Sequence, residues 1–203
     1  MPGPGFHGEG ISRVVGRDAS RQLVIDHPCQ PDETLPVGSV CCAMHGAHPN
    51  VRPLLVPASA YRERLHHWCA VADVLRLSED DCALLAPGAG LGEACDTWHA
   101  AGARLVVITL GGRGALASLD GVRVTVTAPP AVVVDTVGAG DSFTAGLLHR
   151  LADLGHLGGR LDELALEDVT DACSFAAQVA TLTCSVPGAN PPWADDLVIA
   201  GRR

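Results

Sequence analysis

Apolar residues recur at helical spacing in several stretches of the chain, with short apolar runs between them. After Pro57-Ala58-Ser59, the residues Tyr61, Leu65, Trp68, Cys69 and Ala72 fall three or four positions apart and predict a helix. The next segment, DVLRLS, reads as a strand, and SEDDCALLAPG reads as a short helix that Ser78 caps and Pro87-Gly88 stops. A further helix over about Leu91 to Ala101 ends at Gly102, and ARLVVITLGG is a buried strand running into a glycine turn. GALASLD and VRVTVTA flank Asp120-Gly121, the strongest hairpin signal in the chain. PPAVVVD reads as a buried strand feeding a helix from about Gly140 to Asp153, which carries Phe143, Leu147, Leu148 and Leu151 on one side. Beyond a linker with GHLGGR, a long helix is predicted near Leu166 to Thr183. Strands alternating with helices predict an α/β fold with a mostly parallel sheet, and the hairpin adds an antiparallel edge.

Residues 1–46 follow no sustained period and are rich in turn signals such as HPCQPDETLPVGS. Short strands near Arg13-Val15 and Gln22-Ile25 are compatible with this segment, which is expected to be a divergent, poorly packed extension. From Ala47 onward the periodicity sharpens, so residues 47–203 are expected to hold the regular elements described above.

Composition narrows the function. With 203 residues, 47% of them hydrophobic and 18% charged, the chain can bury one good-sized core. Its net charge of -9 opposes binding to nucleic acid or an anionic membrane and favours a small-molecule partner. All 14 basic residues are Arg, which excludes Lys Schiff-base chemistry and the Lys-dependent phosphate loop. The eight cysteines include no C-x-x-C pair, so reduced thiols serving as small hydrophobes are expected. Adjacent His66 and His67 point to different faces of a helix and do not share a metal. No run reaches about 18 apolar residues, and the first residues lack signal-peptide features, so a cytoplasmic location is expected.

The segment DTVGAGDSF carries the candidate chemistry. Small residues at a helix entrance let backbone N–H groups converge on an anion, and the helix dipole reinforces them. Asp141 has two readings there: a general base for a hydroxyl beside the anion site, or an acid favouring the helix N-terminus. Phe143 at the third glycine position rules out a G-x-G-x-x-G dinucleotide fingerprint. A serine hydrolase built on Ser142 is a third possibility, disfavoured because the last histidine is His156.

Asp135-Thr136-Val137-Gly138-Ala139-Gly140-Asp141, followed after three residues by Ala145-Gly146-Leu147-Leu148, resembles the C-terminal signature of the PfkB, or ribokinase-like, carbohydrate kinase family at each defined position. TLGGRGA, from Thr109 to Ala115, looks like that family's nucleotide-binding strand and turn, and PGANPP follows the last helix. PNVRP at Pro49 and its spacing to LRLSEDD look most like the fructokinase branch, and the resemblance covers about Ala47 to Asp196.

The resemblance implies a ribokinase-like, Rossmann-type sandwich with helices on both faces of a mostly parallel sheet, residues 47–203 being its nucleotide-binding and catalytic portion. It also implies an ATP-dependent sugar kinase that moves the γ-phosphate to a sugar hydroxyl, with a fructose-like substrate favoured. Asp141 would be the general base, and the amides of Gly138, Ala139 and Gly140 would form the anion hole. Ser78, Thr109, Gly111, Gly112 and Gly114 would lie along the nucleotide. Ser78 and Asp81 occupy the family's Asn-x-x-Glu positions, with Asp81 near Mg2+ directly or through water. Asp135 and the Val137 carbonyl would hold a monovalent cation such as K+. Asn50 and Arg52 are candidates for substrate or phosphate, with His48 where fructokinase-like sequences tend to have Asp.

The family's sugar-binding half, with its Gly-Gly substrate motif, acidic sugar ligand and β-sheet lid, has no recognisable counterpart in residues 1–46. The only Gly-Gly pairs are Gly111-Gly112 and Gly158-Gly159. A shortened, frame-altered or divergent N-terminal part is therefore expected, with an uncovered sheet edge that favours self-association. The alternative to a weakly active kinase is a nucleotide-binding or regulatory module without catalysis.

Overall fold

The computed structural model describes residues 11–17, 23–26, 44–49, 51–55, 57–157, 161–193 and 197. Asn50, Cys29, Cys41, Cys42 and most of the first 46 residues lie outside the described residues. The strands are β1 (Ile11–Arg17), β2 (Leu23–Asp26), β3 (Met44–Ala47), β4 (Val74–Ser78), β5 (Leu105–Thr109), β6 (Ala115–Leu119) and β7 (Val122–Val126). The helices are α1 (Ala58–Val71), α2 (Glu79–Leu85), α3 (Leu91–Ala100), α4 (Ala139–Asp153) and α5 (Leu166–Cys184).

One sheet has the order β2-β1-β3-β4-β5-β6-β7. Its centre, β3-β4-β5, is parallel, and antiparallel pairs flank it on both sides. Short strands are thus present within the N-terminal segment, where β1 pairs with both β2 and β3. The hairpin between β6 and β7 turns at Asp120 and Gly121, both with positive φ (47° and 88°), as a two-residue primed turn requires.

Side-chain alternation along the central strands divides the core. Leu105 and Val107 of β5 face α4 and α5, joining Phe143, Leu147, Leu151, Val169 and Ala176. Val106 and Ile108 face the other way, toward Leu65 and Cys69 of α1, Cys82 of α2 and Trp98 of α3. Burial on both faces explains why LVVIT reads as a continuous apolar run. The same period places Leu75 and Leu77 of β4 toward α1–α3 and turns Val74 toward α4 and α5. Arg76 is two residues beyond Val74, so it shares that second face and is buried.

One sequence expectation is corrected. Val132, Val133 and Val134 do not form a buried strand: they are 84%, 62% and 55% exposed and lie outside the sheet. The Val134 and Asp135 amides donate to the Cys184 carbonyl at the end of α5, so this segment pairs with a helix terminus instead of a strand. β-Branched residues favour a pleated surface only where a ladder partner is available.

Candidate active site

The helix entrance is built as the sequence implies. Gly138 caps α4 with φ of 80°, in the left-handed region, and a Cβ there would lie 2.9 Å from the Ala189 side chain. Ala189 belongs to the turn after α5, which Asp135 ties down: its carboxylate accepts the Val137 amide (3.0 Å) and the Gly188 amide (2.9 Å). These donors hold the Asp135 carboxyl below its usual range. The Ala139 amide closes a turn on the Thr136 carbonyl at 3.2 Å, a long bond that a bound oxyanion can share. Asp141 is exposed in the first turn of α4, whereas Ser142 and Phe143 are buried behind it.

A cavity of about 550 Å³ runs from this entrance to the turn after β5. It brings together Thr109, Gly111, Gly112 and Gly114 from one side with Thr136, Ala139 and Gly140 from the other. Gly114 is indispensable to its shape: φ is 103°, and a Cβ would meet the Val126 carbonyl oxygen at 2.0 Å. The volume suits a drug-sized or nucleotide-sized ligand.

Ser78 and Asp81 come together beside the strand ends but mainly serve each other. The Asp81 amide donates to Ser78 Oγ (3.1 Å), while Asp81 Oδ2 accepts the Ser78 amide (3.1 Å) and hydroxyl (2.7 Å), a capping box for α2. Asp81 Oδ1 accepts the Val51 amide at 2.9 Å and so fixes the backbone beside Arg52. Arg52 has an exposed side chain, and its carbonyl accepts the Leu55 amide in a surface turn. Of the remaining predicted residues, Val137 is exposed beside Asp135 and Asn50 lies outside the described residues.

Sequence reasoning missed Arg76. The residue is 5% exposed and lines the cavity, and its guanidinium lies against the α4 entrance, where a Cβ on Gly140 would be 2.9 Å from Nη2. Nη2 donates to Thr109 Oγ1 at 3.0 Å, and Nη1 is 2.5 Å from His48 Nε2. Burial lowers its pKa, while the nearby Asp81 and Asp141 charges oppose the shift. The available signal was an arginine at a core-facing position of an otherwise apolar strand. The five described cysteines are free thiols, and burial pushes Cys69 and Cys173 up to about 12, as expected for unreactive packing residues. Among the described residues, no helix is long and apolar enough to cross a membrane.

Comparison with known proteins places these features. The chain is 35% identical over 128 residues to a fructokinase of Rhizobium leguminosarum bv. trifolii, covering 61% of this chain and 39% of that protein. It is 32% identical over 154 residues to a fructokinase of Klebsiella pneumoniae, covering 73% and 48%. Among solved structures, an aminoimidazole riboside kinase from Salmonella enterica, complexed with aminoimidazole riboside and an ATP analogue, matches with a TM-score of 0.66 at 25% identity, over 76% of this chain and 50% of that one. A double-mutant fructokinase from Vibrio cholerae O395, bound to fructose, ADP and potassium, matches with a TM-score of 0.65 at 25% identity, over 76% and 49%. The chain thus spans half or less of the length of these relatives. Residues 27–196 match the model of the pfkB family carbohydrate kinases, and the chain belongs to that family.

Proposed function

We propose that the protein transfers the γ-phosphate of ATP to a sugar hydroxyl, with a fructose-like acceptor favoured. The observation that carries this reading is the junction of a glycine-walled cavity with the Gly138–Gly140 helix entrance, one residue before an exposed carboxylate. Asp141 accepts the proton of the acceptor hydroxyl as that oxygen attacks phosphorus. The α4 entrance stabilises negative charge on the transferring group through backbone N–H groups and the helix dipole. Gly111, Gly112 and Gly114 let the nucleotide approach the backbone closely. The fructokinase matches favour fructose, and the structures named with ADP or an ATP analogue favour an adenine nucleotide.

The residues present fit the ions that this chemistry uses. Asp81 accepts three protein hydrogen bonds, leaving about one of roughly four lone-pair positions, which suits a water-mediated contact with Mg2+. Among the described residues no cluster of three or more His, Cys, Asp or Glu forms a protein cage, consistent with an ion held mainly by phosphates and water. The Asp135 carboxylate and the Val137 carbonyl are hard oxygen donors, the kind that suits a cation such as K+. Such cations, when bound, neutralise developing phosphate charge.

An ADP-release assay across fructose, ribose, ketodeoxygluconate and nucleosides tests the reading. Sugar-dependent turnover is expected, with fructose among the best acceptors and at least a hundredfold loss in Asp141→Asn. ATP binding without turnover on any acceptor would replace it with the second reading, a nucleotide-binding module without catalysis.

A further inference from the structure

The buried guanidinium of Arg76 is held by neutral groups alone: Thr109 Oγ1, His48 Nε2 and the Phe143 ring, whose centroid is 5.9 Å from its central carbon. An arginine N–H can only donate, so at 2.5 Å the facing Nε2 must carry a lone pair, which makes His48 neutral with its proton on Nδ1. Among the described residues, Arg76 makes no ion pair with a carboxylate, although Asp81 and Asp141 are near enough for their charges to be felt. Asp81 is occupied by the Ser78 and Val51 donors. Arg76 Nε is buried and has no hydrogen-bond partner among the described residues. A charge placed in the interior with a free donor and no ion-pair partner is costly unless a ligand completes it. The same guanidinium lines the cavity and abuts Gly140 at the helix entrance, where a transferring phosphate would be bound.

We propose that Arg76 is a phosphate-contacting cation of this cavity and that His48 is its positioning residue, a neutral acceptor that aims the guanidinium without cancelling its charge. The inference rests on the nucleotide-site reading and adds to it which side chains contribute to phosphate affinity. It also gives a role to the histidine at a position where a carboxylate would form an ion pair with Arg76. Replacing that neutral acceptor with an anion is expected to divert the guanidinium from the ligand, whereas another neutral acceptor does so less.

Calorimetric titration of the whole chain with Mg-ATP and, separately, with adenosine isolates the phosphate contribution as the ratio of the two affinities. Arg76→Gln is expected to lower that ratio at least tenfold while adenosine affinity stays within threefold. His48→Asp is expected to lower it several-fold, and His48→Gln by less. Circular dichroism identifies variants that fail to fold; if Arg76→Gln is among them, the His48→Asp and His48→Gln comparison decides alone. The proposal is overturned if ATP and adenosine weaken together in the folded variants, or if His48→Asp matches or exceeds the wild-type ratio. A wild-type chain that binds neither ligand overturns the nucleotide-site reading itself, whereas wild-type selectivity for ATP that survives these substitutions overturns only the roles of Arg76 and His48.

Discussion

Gly140 stands between two charges of opposite sign. Arg76 abuts it from the sheet side, and Asp141 follows it on the exposed first turn of α4. In the proposed transfer, a hydroxyl oxygen that loses its proton to Asp141 becomes a better nucleophile, while positive charge nearby favours the phosphate that it attacks. His48 links this arrangement to pH. Desolvation first, and then the Arg76 charge, lower its pKa from 6.5 to about 4. An unfolded chain takes up that proton below about pH 6.5, but the folded chain resists it until about pH 4, so this stability contribution is complete above the window and disappears as pH falls through it. The loss is at most about 3 kcal/mol at one pKa unit per 1.36 kcal/mol. Urea unfolding at pH 7 and pH 4.5 is expected to show a steeper loss for the wild type than for His48→Gln, and equal losses would refute the assignment.

The capping box and the turn after β5 are the elements that shape the site. Ser78→Ala removes the side-chain cap of α2 and is expected to cost about 1 kcal/mol in a urea titration, within the usual range of about 0.5–2 kcal/mol. Gly114→Ala is expected to be worse, because both its positive φ and the Val126 carbonyl oppose the added methyl group. A loss above about 2 kcal/mol with weakened ATP binding is predicted, and a neutral substitution would show that the turn tolerates rearrangement. Much of this was legible in the sequence: Ser78 before an acidic first turn identified the start of α2, and Asp120-Gly121 identified the hairpin. Val132–Val134 misled because β-propensity does not reveal whether a ladder partner exists, and here the backbone pairs with the end of α5. Arg76 escaped because an arginine in a strand reads as a solvent-facing residue until the register of Val74 turns it inward.

The central sheet joins the two cores, with Leu105 and Val107 in one and Val106 and Ile108 in the other. The structure should therefore unfold as one unit. Trp98 reports the core beneath α1–α3, whereas far-UV circular dichroism includes the long helices α4 and α5 of the other. Coincident tryptophan-fluorescence and circular-dichroism transitions are expected, and separated midpoints would show that the faces unfold independently. The α/β class was readable because helical and strand periods alternate along the chain. The antiparallel flank formed by β1 and β2 was harder to place, since short strands in a turn-rich segment carry little register information. The candidate transfer loop was readable for the opposite reason: its chemistry is concentrated in consecutive residues, from Asp135 to Asp141.

Phosphorus-31 NMR of the protein with Mg-ATP and fructose tests most directly whether the glycine-walled cavity and Asp141 form a working transfer site. The predicted result is a sugar phosphomonoester signal that grows with ADP, requires fructose and falls at least a hundredfold in Asp141→Asn while ATP binding persists. The same ester formed at an undiminished rate by Asp141→Asn, or ATP consumed only to inorganic phosphate regardless of fructose, would contradict it.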